Sequence, residues 1–493
     1  MAYFQFNPFR CSLGLSAIAY AIFLGGCSTV SFSRELATTV DGDSLTAMPP
    51  PNVTINRIAL DLPDAFAKEG GLIATDVNGD RQLDIVVTQP GRVAAYSLTD
   101  GKLWQRETDI WLTGQTESEG LPGLHAPGIQ AADVDGDGNT DLLYVAANNR
   151  LEILDGTTGE VKARLDLPAV QSLHNQWEHA VVANFTDKGD GELLLQASRE
   201  TNSDSYVRDS IQAAFAISDL LSVESAAEPL WRTNDFVSLS HGSAKVFDLD
   251  GDGKDEVVGA MVLGPDGNEL YNPGLENTDF PHIDAIAVDD IDPERPGLEI
   301  VIPEERGDLR VILFDEQGTV WTSGHRRRAE DYNGDKVAIG DFDPARAGLE
   351  MWFRGDESKH FTALDAAGEV IASYKFRDHR PDNWTEKGFE VITPIRWSGG
   401  DQDYIVAKER HEAGDVGIFD PLTGQLVAQF PNRTERLYVA DVVGDWREEI
   451  IVLSNAELII YQNQQSNPNP DRQSLWNDPL YRRQKMTWNY YSP

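Results

Sequence analysis

Along most of its length the chain alternates short apolar runs with polar turns, and one pattern returns eight times. Each copy is an apolar run ending in Asp or its equivalent, then a turn, then a second apolar run. The copies begin at Leu72 (LIATDVNGDRQLDIVV), Ile129 (IQAADVDGDGNTDLLYV), Ala180 (AVVANFTDKGDGELLL) and Ala244 (AKVFDLDGDGKDEVVGA). They continue at Ala285 (AIAVDDIDPERPGLEIVI), Lys336 (KVAIGDFDPARAGLEMWF), Val391 (VITPIRWSGGDQDYIVA) and Leu437 (LYVADVVGDWREEIIVL). Spacings of roughly 41 to 64 residues suit one four-stranded sheet each in a radial array. Third and fourth strands follow most copies, as in VAAYSLTDGKLWQRE and LEILDGTTGEVKARL, where alternation around Asp-Gly or Thr-Gly signals a hairpin. Helical periodicity is nearly absent, with one short helix expected over Ile211–Val223. The pattern predicts an all-β fold, an eight-bladed β-propeller whose last blade is completed by Thr54–Leu62. Seven blades with one copy displaced is the alternative.

The N-terminus falls outside this pattern. Residues 1–26 carry one Arg and an apolar run from Leu13 to Leu24, too short for an ordinary membrane-spanning helix. They end Leu24-Gly25-Gly26 before Cys27, which looks like a bacterial lipobox with Cys27 as the lipidated mature N-terminus. Residues 27–52 then read as a flexible tether and 53–493 as a single propeller domain with a C-terminal tail. The expected location is the outer membrane, lipid-anchored on its periplasmic or cell-surface face, with no other membrane contact. Cys11, the other of the two cysteines, leaves with the signal, so no disulfide framework remains. With 41 Lys plus Arg against 81 Asp plus Glu, the net charge of −40 excludes sequence-independent nucleic-acid binding. A monomer is the expected state.

Part of the acidic excess is organised. Asp133, Asp135, Asp137 and Asp141 place oxygens at positions one, three, five and nine of a tight loop, the spacing that wraps Ca2+. Asp248, Asp250, Asp252 and Glu256 repeat it, and Asp76, Asn78, Asp80 and Asp84 nearly do. Such loops would be structural, and an Asp-Gly turn also forms through its own Asx hydrogen bonds. A second set precedes the inner strands, at the rim of the central channel: His125, His179, His241, His282 with Asp284, Lys336, and Arg433 with Arg436. Four of the nine histidines fall there. Cationic or cationisable groups gathered on an acidic protein point to an anionic ligand.

HGSAKVFDLDGDGKDEVVGAMV, DIDPERPGLE, ADVVGDWREEII and SLWNDPLYR resemble signature segments of propeller-type rhamnogalacturonan lyases, from about Phe236 to the C-terminus. The N-terminal β-sandwich usual in those enzymes is missing, and the size of the lone propeller is closer to bacterial ulvan lyases. The resemblance implies a calcium site on the catalytic face. His241 and His282 match histidines around that metal, Asp284 the Asp of a His-Gly-Asp motif written here His282-Ile283-Asp284, and Glu305 a His-Glu glutamate. Lys336 stands where Arg is usual and Arg433 where Lys is usual, an exchange that is not neutral.

Such a lyase removes the C5 proton of a uronate and expels the O4 substituent, leaving an unsaturated uronate end. Neutralising the uronate carboxylate makes that proton acidic, a task for calcium, Lys336 or Arg433. The base stays open among His179, His125, Lys336 and Tyr206; Arg208 and Arg436 are candidate substrate contacts. Trp177, Trp352 and Trp384 are candidate sugar platforms. The expected function is therefore a polysaccharide lyase acting on an acidic rhamnose- and uronate-containing polymer of the ulvan or rhamnogalacturonan type. A non-catalytic glycan-binding or adhesion propeller is the alternative. A quinone-dependent dehydrogenase is a third reading, carried only by hairpins that run into Trp104 and Trp321. No nucleophile elbow appears.

Overall fold

The structure is a computed structural model, described here for residues 50, 52–60, 69–112, 126–199, 209–222, 227–240, 242–275, 282–305, 309–323, 334, 336–354, 360–384, 392–409, 414–454 and 456–489. Eight sheets of four antiparallel strands follow one another in chain order. Their inner strands are Leu72–Thr75, Ile129–Ala132, His179–Ala183, Lys245–Phe247, Ala287–Asp289, Lys336–Gly340, Ile392–Ile395 and Arg436–Ala440. The eighth sheet takes its outer strand from the other end of the chain, Val53–Ala59 pairing with Glu457–Asn463. This is the closure the sequence predicts, and it settles eight blades over seven.

Burial explains the two kinds of apolar run. The second strand of a blade lies between neighbouring sheets and is buried throughout, as in Glu192–Ser198, whereas the outer strand Val161–Asp166 alternates with solvent. The expected helix is mostly strand: Asp209–Ala216 is the third strand of blade three, and only Ile217–Leu221 is helical. Ladder pairing on both sides of Asp209–Ala216 overrides the local pattern there.

Successive blades are pinned by aromatic side chains of outer strands. Trp104 donates Nε1–H to the Gly156 carbonyl at 2.7 Å. A Cβ on Gly159 would lie 2.5 Å from its ring, so the turn needs glycine there, at φ +69°. Trp231 and Gly267, Trp321 and Gly368, and Tyr374 and Gly424 repeat the contact. Trp104 and Trp321, the two hairpin tryptophans, thus have a packing role. Trp177, Trp352 and Trp384 are fully buried, which removes them as sugar platforms.

The C-terminal helix Pro479–Met486 starts on an Asp478 cap, whose side chain accepts from the Leu480 amide. It crosses the channel and hydrogen-bonds several inner strands. Gln130 donates to the Met486 carbonyl, Arg483 to that of Val182, and Gln484 to that of Val288, all at 2.9–3.0 Å. Beyond the helix, Trp488 donates to the Leu72 carbonyl at 2.8 Å. The Lys485 ammonium lies 3.1 Å from Glu448 beside a cavity of about 70 Å³.

Candidate active site at the propeller mouth

Strand direction sorts the candidate residues onto two faces. The calcium-type loops join the end of each inner strand to its second strand, on one face. The starts of inner strands and the ends of second strands share the other face, the mouth. His282 and Asp284 precede the inner strand of blade five, Glu305 follows its second strand, and Lys336 begins the inner strand of blade six.

These four residues meet. His282 Nδ1 lies 2.7 Å from Asp284 Oδ1 and 2.6 Å from Glu305 Oε2, with all three side chains buried. One ring nitrogen carries at most one proton, so it cannot donate to both oxygens at once. Burial alone would lower the imidazole pKa, but the hydrogen bonds and charges of Asp284 and Glu305 outweigh it and raise the group to about 9. Lys336 Nζ is 3.5 Å from Asp284 Oδ2 and is itself buried, so its ammonium supports Asp284 rather than standing open to substrate. The backbone holds the segment in place: the Ser240 amide donates to the Ile283 carbonyl, the Ile283 amide to Ser240 Oγ, and the Glu305 amide to the His282 carbonyl.

The donor set fits a divalent cation, because two buried carboxylates and an imidazole nitrogen converge within 4.8 Å. The blade-four loop offers an all-oxygen set, Asp248, Asp250 and Glu256, with Asp248 Oδ1 buried and lacking a hydrogen-bond partner among the described residues; this fits calcium. Blade two gathers Asp133, Asp135 and Asp141, but Lys162 already reaches in, 2.6 Å from Asp135 and 2.9 Å from Asp141. Asp137 is bound by the same ammonium, and Asp252 by Lys254. In blade one Asp76 and Asp80 accept loop amides and make no such cluster with Asp84 among the described residues. The ninth position has a second duty. Asp84, Asp141 and Glu256 each accept an amide of their own turn, as do Glu192, Glu299, Glu350 and Glu449 in blades without the full pattern.

Other candidates separate. His179 is buried, and desolvation lowers its pKa to about 4, which makes it a weak base. Arg436 is buried too, donating to the Gly70 and Glu435 carbonyls, so it clamps blade eight to blade one. Arg433 is exposed, 3.3 Å from Glu435, and keeps its reach to a ligand. Cys27, His125, Tyr206, Arg208 and His241 lie outside the described residues. Sequence reading missed Ser240, the Glu304–Arg310 ion pair beside Glu305 (2.7 Å), and Asn489. A Cβ on Gly242 would collide with the Asn489 amide, so the tail beyond the channel helix reaches the mouth beside blade four. The adjacency of Glu304 to Glu305 was the available signal for the first pair; nothing local marks Asn489.

Comparison with known proteins gives the chain its relatives. Residues 232–492 match the family described as Rhamnogalacturonan lyase family 11, C-terminal domain, and residues 76–161 match an FG-GAP-like repeat. The rhamnogalacturonan endolyase YesW of Bacillus subtilis is 28% identical over 260 residues, 50% of this chain and 37% of that protein. The exolyase YesX of the same organism is 28% identical over 231 residues, 44% of this chain and 35% of that protein. These matches span little more than a third of each curated relative. The crystal structure of YesX superposes with a TM-score of 0.64 at 18% identity, covering 89% of this chain and 81% of that one. The Vibrio cholerae biofilm matrix protein Bap1 reaches 0.53 at 14% identity, covering 85% and 92% respectively, a likeness of fold alone. The family match takes in blades four to eight, with His282, Asp284, Glu305 and Lys336, and on it the chain belongs to rhamnogalacturonan lyase family 11.

Proposed function

We propose that this chain is a polysaccharide lyase that cleaves an acidic rhamnose- and uronate-containing polymer, of the rhamnogalacturonan or ulvan type, by β-elimination. The observation that carries this reading is the convergence of His282, Asp284 and Glu305 over Lys336 at the mouth, within the matched family segment. Calcium is the proposed ion, held there by those three residues together with His241. When bound, it would supply positive charge to the uronate carboxylate and so acidify the C5 proton.

The chain's own residues do the rest. Lys336 offsets the charge of Asp284 and fixes its direction. Arg433 is the exposed guanidinium able to take the substrate carboxylate in a forked hydrogen bond. His179, with its depressed pKa, is a poor base at neutral pH, and Lys336 is buried against Asp284, so proton abstraction passes to His125 or Tyr206.

The test is ultraviolet absorbance of the unsaturated uronate, with the purified protein on rhamnogalacturonan and on ulvan, with calcium and with chelator. A rise on either polymer supports the reading and names the substrate. No rise on either, with the protein folded, overturns it in favour of a glycan-binding propeller.

A further inference from the structure

The face opposite the mouth carries a groove that the lyase reading leaves unused. A cleft of about 680 Å³ lies between blades eight and one, lined by Arg81, Gln82, Gln462, Trp476 and Asn477 among others. A second, of about 310 Å³, lies between the C-terminal helix and the inner strands of blades one to three, with Arg482 on its wall. Leu83 and Trp476 line both, so the two clefts meet at the indole.

The charges there are unusual for this protein. With a net charge of −40, its guanidiniums are mostly neutralised: on this face Arg447 pairs with Asp445, Arg472 with Asp401, and Arg483 with Asp190 and Asp255. Arg81 and Arg482 differ. Both are exposed, and neither has a carboxylate within ion-pair distance among the described residues; the Arg482 guanidinium donates to the Trp476 carbonyl. Gln82 and Gln462 line the same cleft, so their side-chain amides are donors and acceptors available to a ligand in it. Trp476 is half-buried and anchored through Nε1 to the Asp441 carbonyl at 2.6 Å, which fixes the indole as a rigid wall.

We infer that this groove is a second, non-catalytic binding site for an acidic polysaccharide. The indole would pack on the apolar face of a pyranose, the amides would take hydroxyls, and Arg81 and Arg482 would pair with uronate carboxylates on either side. The choice of ligand class rests on the proposed lyase function. The site itself rests on the unpaired guanidiniums flanking a fixed aromatic wall.

The experiment uses the whole chain in native gels cast with polygalacturonate, and with dextran as the neutral control. The variants are Arg81→Glu/Arg482→Glu and the milder Arg81→Gln/Arg482→Gln, each also in a His282→Ala background. Polygalacturonate is expected to retard the parent proteins and dextran to leave them unchanged. The double Glu variant should bind polygalacturonate about tenfold more weakly and the Gln variant should fall between, because exposed ion pairs are individually weak. Retention should also fall as salt rises. Equal retardation of parent and Glu variant, or no retardation of the parent, overturns the inference. Ultraviolet assays on short oligosaccharides separate the two readings. An absorbance rise without Arg-dependent retention refutes the groove alone, whereas Arg-dependent retention without a rise refutes the lyase alone.

Discussion

Replacing Lys162 by Met tests how the acidic loops choose their cation. In blade two the ammonium lies 2.6 Å from Asp135, 2.9 Å from Asp141 and 3.3 Å from Asp137. Burial alone would lower the pKa of Lys162, but hydrogen bonds to Asp135 and Asp141 outweigh it and raise the group. Asp135 and Asp137 are more than a third exposed, so each pair with them is worth well under about 1 kcal/mol. Asp141 is buried at 1% exposure, and stranding it without a cation is the larger loss. We expect Lys162→Met to cost about 2 kcal/mol in chelator, read from urea unfolding. In millimolar calcium the deficit should largely vanish, because a divalent ion replaces the ammonium among the same oxygens. Calorimetric titration should then count one more calcium per chain than in the parent. Blade four is the internal control, since among the described residues Lys254 pairs with Asp252 alone and leaves Asp248, Asp250 and Glu256 open to a metal. An unchanged calcium count, or a deficit that calcium does not relieve, would refute the idea that Lys162 serves blade two as a built-in cation.

Glu305→Gln and His282→Ala should each lower lyase turnover about a hundredfold or more and weaken divalent binding at the mouth, measured by absorbance and by metal content after dialysis. His179 has a pKa near 4 when folded against 6.5 for the unreacted side chain, so the folded state resists its protonation. Its contribution is intact above pH 6.5 and is lost as pH falls toward 4, by up to about 3 kcal/mol. His179→Gln should therefore flatten that part of the stability–pH curve, and an unchanged slope would contradict the assignment. Gly159→Val should destabilise by about 3 kcal/mol, from the collision with Trp104 and the positive φ, while the surface change Val427→Thr should be nearly silent in the same unfolding assay.

Much of the fold was legible because each blade is a local object. A hairpin needs only alternation and a turn residue, and both lie within a few positions in Leu151–Val161 or Val93–Trp104. The expected helix at Ile211–Val223 failed for the opposite reason. Its small apolar residues are compatible with either state, and pairing with Glu192–Ser198 and Trp231–Val237 decided for strand. The site was legible in composition but not in role. His282, Asp284 and Glu305 do converge, yet Lys336 and Arg436, both read as substrate cations, are buried and already engaged with the protein.

By itself the sequence determined the repeating unit, the N-terminal strand as the candidate for closure and the acidic loops, since these depend on residue spacing along one strand or turn, while the pairing of Val53–Ala59 with Glu457–Asn463 decided eight blades over seven. Tertiary structure alone decided which charges meet. Lys162 enters the blade-two loop from an outer strand of its own blade, and the C-terminal tail carries Asn489 to the mouth across the channel. It also brought Arg81 and Arg482 to one groove from opposite ends of the chain. Charges act through space over a few ångströms, and only the closed ring sets those distances.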